Sequence, residues 1–259
     1  MTKKALLVVS FGTTYEDTRK KTIEQCEHDL QLAFPDYTFF RAYTSRMVID
    51  RLAKRDGLII PNPVEALNAI YEAGFEEVLI QSLHIICGDE YHKLSSEIES
   101  FSTKFKSLKF GRPLLTTIED YKKAVHATLD FFPELKQDEA LILMGHGTFH
   151  PVFPAYCALE YMFHQVNTNV YIGTVEGFPT IEDVLQKLQQ THCKRAYLAP
   201  FMLVAGDHAI NDMAGDELDS WKNLLEQNNI DPIIHLKGLG ESQTIRHLFI
   251  EHALDALKA

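Results

Sequence analysis

The sequence predicts an α/β protein of two similar domains, each a parallel sheet flanked by helices. Three observations predict this fold class. Short apolar runs alternate with longer segments of helical period, which is typical of strand–helix–strand units. The runs are apolar throughout, as expected for strands that helices cover on both faces. Finally, the two halves of the chain repeat similar motifs in the same order.

Eight apolar runs are predicted to be strands: 5–10, 37–43, 77–83, 108–111, 140–144, 169–175, 195–201 and 232–236. Between them, apolar spacing and turn signals predict helices over 15–33, 63–74, 118–132 and 179–190. Pro63 favours a helix start and Gly74 a helix end, and Pro179 repeats the starting signal. The last segment, 242–259, predicts a packing helix whose stripe holds Ile245, Leu248, Phe249 and His252.

The internal repeat divides the chain into two halves. LLVVSFGT (6–13) resembles LILMGHGT (141–148), and VLIQSLHIICGDE (78–90) resembles AYLAPFMLVAGDH (196–208). These pairs predict two domains joined near residues 112–139, which we set at 1–125 and 126–259. We also expect the C-terminal helix to pack back on the N-terminal domain.

Composition excludes several functional classes. The 259 residues carry a formal net charge of −11, which argues against a nucleic-acid surface. No apolar run reaches the ~18 residues that cross a bilayer, so no membrane association is expected. The four cysteines form neither a CxxC pair nor a disulfide framework, which favours reduced thiols in the cytoplasm. No nucleotide is expected, because the chain lacks both GxxxxGK[ST] and GxGxxG.

Three candidate metal ligands follow predicted strands of the second half. His146 follows LILMG, Glu176 follows VYIGTV, and His208 follows AYLAPFMLVAGD. Because the carboxyl ends of parallel strands lie at one edge of a sheet, we expect two imidazoles and a carboxylate to meet there. Such a set suits Zn, Fe, Co or Ni and leaves coordination positions open. Each residue also has a structural interpretation: a surface or core histidine, or for Glu176 a helix-entry charge.

Polar and aromatic residues follow the corresponding strands of the first half. They are candidates for ligand contact, namely Ser10, Phe11, Tyr43, His84 and Glu90. Ser10 and Thr13 could equally cap the helix over 15–33. His84 could be a hydrogen-bonded core residue, and the two aromatic rings could be ordinary core packing.

Several of these strings resemble a known family. LLVVSFGT, IQSLHIICGDEY, MGHGTFH and MLVAGDHAINDMAGDELDSWK are similar to the anaerobic sirohydrochlorin cobaltochelatases of the CbiK type, relatives of ferrochelatase. The resemblance implies two α/β domains related by pseudo-twofold symmetry, with a cleft for the tetrapyrrole. It also implies insertion of Co²⁺ into sirohydrochlorin for cobalamin, without nucleotide hydrolysis. The family's metal ligands map onto His146, Glu176 and His208.

The resemblance lets us assign roles. His146 is expected to be the proton acceptor and a ligand, while His208 and Glu176 hold the ion over the ring. Relatives that use iron or nickel keep Fe²⁺ and Ni²⁺ open as the substrate metal. A homo-oligomer is also left open.

The resemblance implies a substrate that carries many carboxylates, which an acidic chain can bind only at a local basic patch. Residues 41–56 hold five basic residues against two acidic ones, and 102–123 hold six against two. Arg41 and Arg46, near the end of the second strand, are therefore candidate anchors for substrate carboxylates. Solvated helix charges are the alternative interpretation.

Two other functions remain open at this point. A metallohydrolase could use the same three ligands to activate water, with Glu90 as base. A carrier of tetrapyrrole or metal would bind without turnover.

Overall fold

The structure is a computed structural model that describes residues 2–258. It contains two four-stranded parallel sheets, and all eight predicted strands are present, with bounds shifted by up to a few residues. The chain divides into two compact units: Met1–Thr116 with Gln243–Ala259, and Thr117–Ser242. The sequence-based boundary between residues 125 and 126 instead lies within one continuous helix, Ile118–Leu129, which belongs wholly to the second unit.

The first unit holds four strands and six helices. Its strands are β1 (Lys4–Ser10), β2 (Thr38–Tyr43), β3 (Glu77–Ser82) and β4 (Ser107–Gly111), in the order β2-β1-β3-β4. Its helices are α1 (Glu16–Lys21), α2 (Ile23–Ala33), α3 (Arg46–Asp56), α4 (Pro63–Glu72), α5 (Asp89–Glu99) and α10 (Gln243–Lys258).

The second unit repeats the same strand order. Its strands are β5 (Glu139–Thr148), β6 (Val170–Gly177), β7 (Arg195–Pro200) and β8 (Asp231–Ile234), in the order β6-β5-β7-β8. Its helices are α6 (Ile118–Leu129), α7 (Pro154–His164), α8 (Ile181–Leu188) and α9 (Trp221–Gln227). A π-helical turn spans Ala209–Met213 after β7, and a 3₁₀ turn spans Leu239–Glu241.

The central strand of the first sheet is buried on both faces. Ala5, Leu7 and Val9 join a core with Leu67 of α4 and Leu94 of α5. The alternate side chains of β1, on the opposite face, are equally buried. Helices therefore cover both faces, which explains why the strand sequence is apolar throughout instead of alternating.

Local capping signals fix several helix ends. Asn62 and Glu65 form a reciprocal capping box at the start of α4, directly before Pro63. The left-handed backbone of Gly74, with φ +76°, ends that segment as predicted. The predicted helix over 15–33 is two helices, because the backbone of Thr22 leaves helical geometry.

The capping interpretation of Ser10 is wrong. Helix α1 begins at Glu16 with no side-chain cap. The Thr13 hydroxyl accepts a hydrogen bond from the Tyr15 N–H at 3.3 Å, whereas the Ser10 hydroxyl is buried without a partner among the described residues. The Ser10 side chain is therefore free for another role.

Helix α10 packs against α2, β3 and β4 of the first unit. The predicted stripe is buried at all four positions, with Phe249 fully inaccessible. Arg246 pairs with Asp29 of α2 at 2.6 Å, and Arg112 pairs with Asp255 at 2.9 Å. Within residues 2–258, no helix is both long enough and apolar enough to cross a membrane.

Because α10 packs its apolar stripe into the core of the first unit, removing the buried ring of Phe249 should destabilise the fold. We expect Phe249→Ala to lower the free energy of unfolding by about 3–5 kcal/mol, measured by urea denaturation. Leu254→Ala, on the same helix but 42% exposed, is the control and should cost less than about 1 kcal/mol. Equal losses for the two variants would contradict the packing role of α10.

Candidate functional site

Two imidazoles lie together in the second unit. His146 stands near the carboxyl end of β5, and His208 directly precedes the π-helical turn that follows β7. Their ring centroids are 5.0 Å apart, with the ring planes at 84°. β5 and β7 are neighbours in the sheet, so the strand-end argument brings together two residues distant in sequence.

Hydrogen bonds define the protonation of these rings. The Nδ1 of His146 lies 3.2 Å from the carbonyl oxygen of Gly147, and the Nδ1 of His208 lies 2.6 Å from Oδ2 of Asp212. A carbonyl or carboxylate oxygen can only accept, so each Nδ1 carries the hydrogen. When the rings are neutral, each therefore has its lone pair on Nε2, where it can bind a metal ion or a proton.

Glu176 lies on the neighbouring strand. It is exposed near the end of β6 and pairs in register with Gly147 of β5. The acidic residues in the first turn of α8 are Glu182 and Asp183, so the helix-entry interpretation of Glu176 is wrong. Across residues 2–258, no three His, Cys, Asp or Glu side chains form a group that could hold a metal ion. Of the three groups expected to meet, the structure therefore brings together the two imidazoles and leaves Glu176 outside the pair.

Glycine is required where β5 meets β6. Gly147 has φ +82°, and a Cβ there would lie 1.8 Å from the carbonyl oxygen of Glu176. The N–H of Gly147 donates to the hydroxyl of Tyr156 at 3.2 Å. A residue larger than glycine at position 147, next to His146, would therefore clash with the backbone of β6.

In the first unit, four predicted contact residues carry buried polar atoms. These atoms have no hydrogen-bond partner within the described residues: Ser10 Oγ, Tyr43 OH, His84 Nε2 and Glu90 Oε2. Ser10 and Tyr43 end β1 and β2, His84 follows β3, and Glu90 lies in the first turn of α5. Buried polar groups are normally paired, so these four residues remain candidates for contact with a polar ligand.

The two predicted aromatic contacts differ in exposure. Phe11 is 44% exposed, whereas Tyr43 is fully buried. A Cβ on Gly12 would lie 2.5 Å from the ring of Tyr43, so the chain folds tightly over that ring. Core packing therefore accounts for the Tyr43 ring, while Phe11 is accessible to a ligand.

The assignment of Arg41 as a carboxylate anchor is not supported. Its Nε and Nη2 both donate to the carboxylate of Glu27 on α2. Burial raises the pKa of the Glu27 carboxyl, and the guanidinium of Arg41 opposes that shift. The guanidinium fork is thus used within the unit, to compensate a buried acid.

Arg46 is differently placed. It is the first residue of α3 and is exposed. It lines a cavity of about 490 Å³ together with Thr44, Glu90 and Lys93. The same cavity is also lined by the acidic residues Asp50, Glu65 and Glu97, so Arg46 and Lys93 are basic residues in a mixed-charge lining.

Asp212 and Lys93 were not selected from the sequence. Asp212 could have been found, because it follows His208 by four residues, the spacing at which helical side chains meet. Lys93 carries no comparable signal, since only the folded chain shows that it lines the cavity.

Similarity to known proteins extends along nearly the whole chain. The sequence profile of a family described as Cobalt chelatase (CbiK) matches residues 4–258. The sirohydrochlorin cobaltochelatase of Salmonella typhimurium is 44% identical over 255 residues, which cover 98% of this chain and 97% of the relative. The sirohydrochlorin cobaltochelatase CbiKC of Nitratidesulfovibrio vulgaris is 34% identical over 266 residues, covering 100% and 92%.

Solved structures support the fold. The structure described as SirB from Bacillus subtilis with Fe³⁺ has a TM-score of 0.68 and covers 98% of this chain and 96% of its own. Its sequence identity is 14%, so the likeness concerns the fold alone.

The environment of His84 predicts a pH effect on stability. Its Nδ1 is 2.8 Å from the hydroxyl of Ser82, and burial lowers the pKa of the imidazole to about 4. Between pH 6.5 and 4 the unfolded chain binds a proton that the folded chain resists, so stability falls as the pH falls through that window.

We expect the wild type to lose up to about 3 kcal/mol more than His84→Gln between pH 7 and pH 4. The measurement is urea unfolding of both proteins at a series of pH values. Parallel stability curves would contradict the buried neutral state of His84.

Proposed function

The chain belongs to the CbiK family of cobalt chelatases, and we propose that it inserts Co²⁺ into sirohydrochlorin in cobalamin biosynthesis. The observation that carries this proposal is the His146–His208 pair, 5.0 Å apart, in a chain that matches sirohydrochlorin cobaltochelatases along nearly its whole length. Both histidines stand at the sheet edge where parallel α/β proteins bind their ligands.

Metal insertion sets three chemical tasks. Two pyrrole protons must leave the macrocycle, the metal must lose its own ligands, and the ring nitrogens must replace them. Overall, Co²⁺ replaces two N–H protons and no electron is transferred. We assign His146 as proton acceptor and ligand, because its Nδ1 already donates to a carbonyl and its Nε2 can take a proton.

His208 and Glu176 are proposed to hold the ion before transfer. Imidazole nitrogen suits cobalt, and a carboxylate offsets part of the ion's charge. Among the described residues, no three side chains form a complete metal site. This agrees with an ion that must be passed on to the tetrapyrrole, because a closed site of four protein ligands would retain the ion. Glu176, exposed at the end of β6, would join the imidazoles when the ion arrives.

Residues of the first unit are proposed to contact the tetrapyrrole. The buried unpartnered atoms of Ser10, His84 and Glu90 supply polar contacts. The exposed ring of Phe11 supplies apolar surface, and Arg46 supplies a cation for a substrate carboxylate. Tyr43 contributes through its hydroxyl, since its ring is packed in the core.

An absorption assay tests the function directly. Sirohydrochlorin and Co²⁺ are mixed under anaerobic conditions with protein at one hundredth of their concentration, and the spectrum of the metallated ring is followed. We expect many turnovers per protein above the uncatalysed rate. A spectral change that saturates at one equivalent supports a carrier instead, and no effect of the protein rules out the chelatase.

The choice of metal is tested by competition. Co²⁺ is proposed as the physiological substrate, with Fe²⁺ and Ni²⁺ as the alternatives, and equal concentrations of the three are supplied to one reaction. The product composition then gives the specificity. We also propose that the protein works in the cytoplasm, which agrees with its four free cysteines.

Removing either central imidazole should abolish most activity. We expect His146→Ala and His208→Ala each to lower the insertion rate by about 100-fold or more, because a proton acceptor or a metal ligand is lost. Far-UV circular dichroism should remain that of the wild type. His247→Ala, at an exposed position on α10, is the matched control and should retain full activity. Unchanged rates in the first two variants would remove these residues from the mechanism.

Arg46 should affect substrate binding more than turnover. We expect Arg46→Ala to raise KM for sirohydrochlorin by about tenfold, equivalent to about 1.4 kcal/mol, with kcat nearly unchanged. The control is Arg51→Ala, exposed on the same helix and outside the cavity. If both substitutions change KM equally, the effect is general electrostatics and not a contact at Arg46.

A further inference from the structure

A carboxylate of the second unit contacts one imidazole of the pair. Oδ2 of Asp212 lies 2.6 Å from Nδ1 of His208, the short distance typical of a charge-assisted hydrogen bond. The corresponding nitrogen of His146 meets only a neutral carbonyl, at 3.2 Å. The two rings are therefore held with different strength, although both carry their hydrogen on Nδ1.

A π-helical turn of the backbone holds Asp212 close to His208. The turn Ala209–Met213 is π-helical, and its two terminal side chains are fully buried. The N–H of Ala214 donates to the carbonyl of Ala209, five residues earlier, at 3.2 Å. π-helical turns are uncommon and often occur at functional sites. Here the turn keeps the half-exposed Asp212 within reach of a ring four residues away.

The end of the turn is equally constrained. The N–H of Gly215 donates to the carbonyl of Asn211 at 3.0 Å, and a Cβ on Gly215 would lie 2.2 Å from that oxygen. The Asn211 side chain donates to Asp207 at 3.1 Å. The backbone on both sides of Asp212 is thus held by hydrogen bonds that do not involve His208.

We propose that Asp212 is a positioning residue that holds His208 in the Nδ1–H tautomer and thereby presents Nε2 as the ligand for the incoming divalent ion. The carboxylate also makes that nitrogen a stronger donor, because a hydrogen bond from the opposite ring nitrogen increases ligand basicity. His146, with its weaker partner, remains the proton acceptor. This inference rests on the proposed function, in which His208 receives the metal.

Two measurements test the proposal without relying on turnover. ¹⁵N NMR of protein labelled at histidine reports which ring nitrogen of His208 carries the hydrogen, with the His208→Ala spectrum giving the assignment. Titration with Co²⁺ alone, followed by visible absorption, reports metal affinity. We expect Nδ1–H in the wild type, loss of that preference in Asp212→Ala, and a Kd for Co²⁺ that rises about 10–100-fold.

Variants separate this role from a structural one. Asp212→Asn keeps the shape of the side chain without its charge and should give an intermediate Kd. Asp212→Glu should restore part of the affinity. Asp216→Asn is the matched control, because Asp216 is a fully exposed carboxylate on the adjoining segment that pairs with Lys222. It should leave both the tautomer and the Kd unchanged.

A double-variant cycle tests whether Asp212 acts through His208. In a His208→Ala background, Asp212→Ala should cause no further loss of Co²⁺ affinity. In the insertion assay, Asp212→Asn should raise KM for Co²⁺ more than it lowers kcat. A wild-type His208 that carries its hydrogen on Nε2, or an Asp212→Ala protein that binds Co²⁺ as the wild type does, would overturn the proposal.

The outcomes also distinguish this inference from the proposed function. Failure to metallate sirohydrochlorin, with an intact tautomer and an intact Asp212 effect on Co²⁺ binding, would refute the chelatase alone. Normal insertion by the wild type, with no effect of Asp212 on tautomer or Kd, would refute the positioning role alone.

Discussion

The pairing of β5 with β6 on one side and β7 on the other is the constraint on which the functional edge depends. Close approach of β5 to β6 requires a residue without a side chain at Gly147, directly opposite Glu176. Pairing with β7 continues to Met144, just before His146, and directs the following chain toward that edge. Any side chain at Gly147 would force the two strands apart, and with them the groups that the proposed chemistry needs.

Apolar periodicity and strand-end position were enough to predict the eight strands and the meeting of His146 with His208, because both follow from the geometry of a parallel sheet. Side-chain contacts between residues on different elements could not be predicted from the sequence. Arg41 looked available in sequence, yet Glu27 of α2 occupies its guanidinium. Nothing local marks that contact, because it depends on how a helix packs over a strand. The four-residue spacing of His208 and Asp212 is present in the sequence, but only the π-helical turn shows how the chain between them is folded.

The two sheets share a strand order and differ in the chemistry of their edges. In the first unit, polar atoms of Ser10, His84 and Glu90 are buried without partners, a state that favours recognition of a complementary ligand. In the second unit, His146 and His208 are accessible, which suits the exchange of an ion with solvent. The two units therefore share one strand order but carry different side chains at the carboxyl ends of their strands.

The return of α10 to the first unit has a consequence for biosynthesis. The ribosome makes Gln243–Lys258 only after the whole of the second unit, so the nascent N-terminal sheet emerges with the surface around Phe249 uncovered. The second unit is contiguous in sequence, whereas the first unit is complete only when Gln243–Lys258 joins the segment made before the second unit. In the interval, the incomplete sheet exposes apolar surface of the kind that chaperones bind.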